Sequence, residues 1–194
     1  MSRRATQSRT TRETTVEVTI DLDGTGETVV ETGVGMFDNL LTAFAHHAMI
    51  DLAVRTNGDL HVDEHHTVED TALVLGSAID DALGDRSGIT RFASAIVPMD
   101  EAIASCAIDA GGRPYAALDL VFHGSRIGAL GTQMIPHALE SLIRTSRSTV
   151  HLEARGGNDH HIAEAAFKAY GFALRSAVSL DPRRRGVPST KGTL

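Results

Sequence analysis

Between Thr14 and Leu22 the sequence TTVEVTIDL alternates polar and apolar positions, which predicts a half-buried strand. The turn DGTG and the short run ETVVET that follow predict its hairpin partner. Apolar residues recur at helical spacing through MFDNLLTAFAHHAMI (36–50), strands are expected around the Asn57-Gly58 turn in DLAVRTNGDLHV, and EHHTVEDTALVLGSAIDDALGD predicts a long helix ending near Gly84. The same order then returns: strands in IASCAIDA and YAALDLVF, a helix in GTQMIPHALESLIRTS, a strand in STVHLEAR and a helix in DHHIAEAAFKAYGFALRSAV. The leading MSRRATQSRTTRET reads as a frayed polar terminus, basic but without the apolar stretch of a secretory signal.

The repetition extends to individual residues. Glu13-TTVEVTI-Asp21 matches Glu101-AIASCAI-Asp109, and His65-His66-Thr-Val-Glu69 matches His160-His161-Ile-Ala-Glu164. These matches predict two like halves, residues 1–92 and 93–180, followed by an Arg/Pro/Gly-rich tail over 181–194. Strands and helices that alternate without GxGxxG, a Walker A loop or paired cysteines imply an α+β fold of duplicated two-layer half-domains, their helices packed on mixed or antiparallel sheets.

Composition narrows the function. In 194 residues, no run approaches the ~20 apolar positions of a membrane helix, so a cytoplasmic protein without a membrane partner is expected. The formal charge of −7 argues against a general hold on nucleic acid, so any anion site is local. The lone Cys106, in an apolar stretch, forms no internal disulfide and reads as a buried, inert thiol. Of ten histidines, seven gather as His46-His47, His65-His66, His160-His161 and His137, a metal or acid/base signal.

Residues four apart on a helix lie one above the other, so His65 with Glu69 and His160 with Glu164 each form an imidazole–carboxylate claw. His66 and His161 point about 100° away and cannot join the metal of their neighbours, so each double histidine can serve two metals. One such motif is equally explained by a solvated helix start. Two copies at matching places favour metal, and nitrogen and oxygen donors without thiolate suit Mn, Fe, Zn or Ni. Arg91, Arg113, Ser189 and Lys191 are polar or cationic groups beside small or turn residues and are candidate oxyanion donors, though each alone is a weak signal, since an isolated surface arginine is ordinarily a solvated charge.

LDGTG, TGVGMFD, GDLHVDEHHTVED, ALGDRSGITRF, PMDEA, GGRPY, DHHIAEAAFKA and DPRRRGVPSTKG together make the chain similar to imidazoleglycerol-phosphate dehydratases over residues 12–194. The resemblance implies halves of the ribosomal protein S5 domain 2 type, a homo-oligomer of 24 subunits built from trimers, and two Mn ions per subunit at subunit contacts. It implies one Mn held by His65, Glu69, His137 and His161 and a second by His66, His160 and Glu164. Substrate phosphate would lie near Arg91, Arg113, Ser189 and Lys191, with Glu13 by the imidazole and His47 closing the pocket. The implied reaction dehydrates D-erythro-imidazoleglycerol phosphate to imidazole-acetol phosphate through an imidazolate held by both ions. Glu13, Glu69 and Glu164 are the candidate catalytic carboxylates, Glu13 foremost.

One position departs from that pattern. Where the family has FDHML, this chain reads Phe37-Asp38-Asn39-Leu40-Leu41, so a ligand histidine is replaced by Asn39. His46, ~10 Å further along the helix, is too far to compensate. Weaker affinity at the second metal is expected. The same residues leave two other readings open, a dinuclear metallohydrolase and an inactive metal-binding cage.

Overall fold

The computed structural model describes residues 3–193; residues 1, 2 and 194, at the ends of the expected first half and tail, lie outside it. The first half contains β1 (Arg4–Thr10), β2 (Thr14–Asp21), β3 (Thr28–Glu31), α1 (Gly35–Ala48), β4 (Asp51–Gly58) and α2 (His65–Leu83). The second contains β5 (Phe92–Met99), β6 (Ala102–Asp109), β7 (Tyr115–Leu120), the two-residue strands β8 (Arg126–Ile127) and β9 (Leu130–Gly131), α3 (Met134–Thr145), β10 (Thr149–Arg155) and α4 (Asp159–Val178).

Strand periodicity decides which face each sheet buries. Val16, Val18 and Ile20 of β2 point inward while Glu17 and Thr19 point out, and Ala102, Ala104, Cys106 and Ile108 do the same in β6. The sheets have orders β1-β2-β4-β3 and β5-β6-β10-β7. In each, three neighbouring strands are antiparallel and the last, β3 or β7, pairs parallel with the third. The mixed α+β architecture is therefore the one the alternating pattern implied.

Three local expectations are overturned. Residues 4–10 are not frayed: they form β1, paired with β2 from Arg4↔Asp21 to Thr10↔Thr15. As an edge strand with one outward face it buries only Ala5, so no alternation betrays it; Arg9 Nη1 fastens it to buried Asp70 of α2 at 2.9 Å. The predicted β2–β3 hairpin does not form either, because β4 inserts between them and its hydrogen bonds join β2 to β3 at one remove. Beyond Gly58 the chain does not return as a strand but turns directly into α2. No expectation covered β5, an edge strand in which Pro98 breaks the usual strand signature, nor the short β8–β9 ladder before α3.

The helices of the two halves interlock: α1 lies along α4, α2 along α3, and α2 and α4 also pack on the inner faces of their own sheets. One continuous apolar core results, with Phe37, Phe44, Phe167 and Tyr170 fully buried. Cys106 belongs to it, and burial pushes its thiol up to about 12, so it is an inert core residue.

Two glycines set the helix spacing. Gly76 and Gly171 each lie eleven residues after the first histidine of their motif, and a Cβ at Gly76 would sit 2.3 Å from the Leu142 carbonyl, one at Gly171 2.6 Å from that of Phe44. Helix propensity alone favours Ala here by roughly 0.5–1 kcal/mol. Overpacking against backbone costs roughly 1–3 kcal/mol and wins. Gly76→Ala is therefore expected to lower stability by about 1–2 kcal/mol in chemical denaturation; a stabilised variant would contradict this close helix contact.

Candidate active site

Each double histidine opens a capped helix. The His65 N–H donates to Asp63 Oδ1 at 2.8 Å, and the His160 N–H donates to Asn158 Oδ1 at 2.9 Å. The first residues of α2 and α4 are thereby fixed, and their i, i+4 partners fall on the face that meets the neighbouring helix.

At the α2/α3 contact, His65 Nε2 is 3.5 Å from Glu69 Oε2, and the other Glu69 oxygen is 3.4 Å from His137 Nε2. The His65 and His137 rings stand 4.9 Å apart, and one donor atom from each of the three residues lies within 4.8 Å of the others. His137 Nε2 is buried without a hydrogen-bond partner among the described residues. An orphaned buried polar atom costs roughly 1–3 kcal/mol, and a divalent cation between two imidazoles and a carboxylate would satisfy it. The donor set fits Mn or another ion of that group.

The α1/α4 contact is its counterpart. His160 Nε2 is 2.8 Å from Glu164 Oε1, the Asn39 amide donates to the same oxygen at 3.0 Å, and Lys168 Nζ lies 2.6 Å from Oε2. Burial alone would raise the Glu164 pKa. The hydrogen bonds from Lys168, Asn39 and His160, with the Lys168 charge, outweigh it and hold the carboxyl down at about 2.

The second histidines face elsewhere. His66 Nδ1 is 3.0 Å from Asp59 Oδ2, and His161 Nδ1 is 2.9 Å from Glu101 Oε2. The Asp59 contact raises the His66 pKa, and the His161 contact lowers that of Glu101. A carboxylate on Nδ1 is the usual support of a ligating imidazole, because it leaves Nε2 as the free donor. Within one chain, then, His161 does not join His65, Glu69 and His137, nor does His66 join His160 and Glu164. Glu13, in the β1–β2 turn, places Oε2 3.8 Å from His66 Nε2. Asp100, Glu101 and His161 form a further acidic group.

Arg91, Arg113, Ser189 and Lys191 line one cavity of about 360 Å³ with Gly111, Thr190 and Thr193. Asp109 takes a bidentate contact from Arg91, at 2.7 and 3.0 Å, and the remaining Arg91 nitrogen donates to the Pro188 carbonyl at 2.7 Å. The tail is thus drawn back over residues 88–91, helped by the Gly88 N–H donating to Gly186 O. Asp109, Gly111, Lys168, Asp59 and Glu101 escaped the sequence reading. The match between Glu101 and Glu13 in the repeat, and the i, i+4 spacing of Lys168 from Glu164, were the available signals for two of them.

A Cβ on Gly111 would fall 2.5 Å from Asp109 Oδ1 and 2.8 Å from Arg91 Nε. Gly111→Ala must push the guanidinium aside, and a loss of about tenfold in affinity for a phosphate ester, about 1.4 kcal/mol, is expected. Steady-state kinetics would show it as a raised KM; an unchanged KM would count against this pocket.

His47 lies apart from this cavity, its ring 5.1 Å from that of Phe172, with its pKa lowered by burial and by His46. The cavity and the histidine clusters are also far apart in one chain. The Arg91 N–H donates to Ala177 O at the last turn of α4, while His160 begins that helix, roughly 25 Å away at 1.5 Å per residue.

Residues 32–174 match the family model for imidazoleglycerol-phosphate dehydratase. The chain is 53% identical to the imidazoleglycerol-phosphate dehydratase of Acidiphilium cryptum, with both chains covered completely, and 51% identical to that of Chloroflexus aggregans, covering all of this chain and 95% of the relative. Among solved structures it resembles that enzyme from Pyrococcus furiosus in complex with (S)-C348, with TM-score 0.82, 36% identity, and 96% of this chain and 99% of the other covered. The Staphylococcus aureus enzyme gives TM-score 0.83 at 29% identity, with coverage of 92% and 99%.

Proposed function

This chain belongs to the imidazoleglycerol-phosphate dehydratase family, hydro-lyases of histidine biosynthesis, and on that premise we propose that its site is assembled from several copies around two manganese ions. The observation that carries the proposal is the separation along α4. Imidazoleglycerol phosphate is roughly 10 Å end to end at ordinary bond lengths, too short to reach from the cationic cavity to the histidine claws of the same chain. A homo-oligomer, for which the 24-subunit particle is our proposal, brings a second chain's claws to each cavity.

The outward Nε2 atoms of His66 and His161 complete the ligand sets in this reading. His65, Glu69 and His137 hold one Mn with His161 from another copy; His160 and Glu164 hold the other with His66 from another copy. When bound, the ions supply positive charge that offsets negative charge developing on the substrate's imidazole ring.

The remaining work falls to side chains. Arg91, Arg113, Ser189 and Lys191 grip the phosphate, and the Asp109 contact keeps Arg91 in one orientation. His47, which lies apart from the cavity of its own chain, would close the pocket of a neighbouring copy. Dehydration moves one proton off carbon and delivers one to the departing hydroxyl. Glu69 and Glu164 are engaged as ligands, and a carboxylate bound to metal is a poorer base, so both serve by binding. Glu13 is 53% exposed, with its carboxylate 3.8 Å from His66 Nε2, which leaves it free to carry a proton at the ring.

The test is turnover of imidazoleglycerol phosphate by metal-stripped protein with Mn added back. Imidazole-acetol phosphate formed only after Mn is returned is the expected result. Release of inorganic phosphate would make the chain a metallohydrolase, and full turnover without metal would remove the ions from the reaction.

A further inference from the structure

The two halves of this chain make the same pair of helix contacts, so each donor at one contact has a counterpart at the other. His65 corresponds to His160 and Glu69 to Glu164; where α3 presents His137 to α2, α1 presents Asn39 to α4. A second difference stands beside the first. Lys168 follows Glu164 at i+4, whereas the residue at i+4 from Glu69 is Leu73.

The two claws are consequently in opposite states of satisfaction. At α2/α3 the contacts to Glu69 are long, 3.4 and 3.5 Å, and His137 Nε2 is buried with no hydrogen-bond partner among the described residues, so little there competes with a cation. At α1/α4 the Glu164 carboxylate accepts from Asn39 at 3.0 Å, meets His160 at 2.8 Å and Lys168 at 2.6 Å. An ion entering there must break or share these contacts and sit near an ammonium charge. Even turned to present its oxygen, Asn39 offers a neutral amide carbonyl where His137 offers an imidazole nitrogen, which Mn-to-Zn ions bind more strongly.

Resting on the dimetal reading above, we propose that the two metal sites are unequal: the α2/α3 site keeps its ion permanently, whereas the α1/α4 site, built on Asn39, holds its ion weakly and exchanges it. The inequality is a property of the chain's own side chains. It makes the second ion the one that responds to the supply of divalent cation.

Manganese binding to the assembled protein tests this without reference to turnover. The metal-stripped oligomer is titrated with Mn²⁺, free ion is followed by electron paramagnetic resonance, and bound Mn is counted by mass spectrometry after desalting. Wild type is expected to show two classes of site separated by more than the roughly 10- to 100-fold that loss of a ligand's supporting partner costs, with only the tighter class surviving desalting. Asn39→His should bring the weak class toward the tight one and double the retained Mn. His137→Asn, which adds no bulk and so tests the point even if Asn39→His misfolds, should weaken the tight class and leave little Mn after desalting. Two equal, tightly held ions in wild type would overturn the inequality while leaving the dimetal reading intact. No Mn uptake by wild type or either variant would overturn both.

Discussion

Glu13→Gln is expected to cut turnover by about 10²–10⁴-fold, the usual contribution of a positioned proton carrier, while the particle assembles and loads metal as before. The turn that carries Glu13 is held by the Thr11 hydroxyl and the backbone, not by the carboxylate. Thr11 Oγ1 accepts the N–H of Glu13 at 3.1 Å and that of Thr14 at 3.0 Å, and the Thr11 N–H donates to Thr14 O at 2.8 Å. The amide of glutamine therefore occupies the same place without disturbing β1 or β2. What it loses is the ability to take and return a proton. The carboxylate sits 3.8 Å from His66 Nε2, the atom assigned to a neighbouring copy's metal, so it stands at the ring that ion would bind. Pre-steady-state and steady-state assays at matched Mn content measure the effect. Wild-type turnover in this variant would take Glu13 out of the reaction.

Glu69→Gln should be as damaging, through the metal. Among the described residues, Glu69 is the carboxylate that joins His65 and His137, one oxygen facing each imidazole. Neutralising it removes the single negative charge of that claw, and with it several kcal/mol of charge stabilisation that an ion there would lend the reacting ring. A loss of about 10³-fold or more in turnover follows, together with loss of the tightly held Mn. Because Glu69 is part-exposed and its polar contacts among the described residues are the long ones to His65 and His137, the fold is expected to survive, which near-ultraviolet circular dichroism would verify. Retained Mn in this variant would contradict the assignment of the α2/α3 claw.

How much of this was legible in the sequence depended on the distance over which each feature is decided. The claws were visible because i and i+4 on one helix must meet. His137 was reached only through family resemblance. Its meeting with Glu69 depends on α2 packing along α3, an event set by core shape and by Gly76, which no local pattern encodes. The same limit hid the sheet order. β3 joins its sheet only after α1 has crossed over, so two adjacent apolar runs looked like a hairpin. β1 was unreadable for a different reason: an edge strand with one inward residue needs no alternation, and its stability comes from Arg9–Asp70 and from pairing with β2. In the anion pocket, Arg91 and Arg113 gained weight only through the family resemblance, since a lone surface arginine is ordinarily a solvated charge. Asp109, which orients Arg91, looked like the ordinary end of a strand.

Mixing dead subunits would test the shared site most directly. Arg91→Ala removes the phosphate grip and Glu69→Gln empties a claw, and each variant alone is expected to be inactive. Co-expressed with different tags and purified as mixed particles, they should recover turnover, because a cavity from one chain then meets an intact claw from the other. Mixed particles that assemble, bind Mn and remain as inactive as their parents would show that the cavity and the claws do not combine across chains.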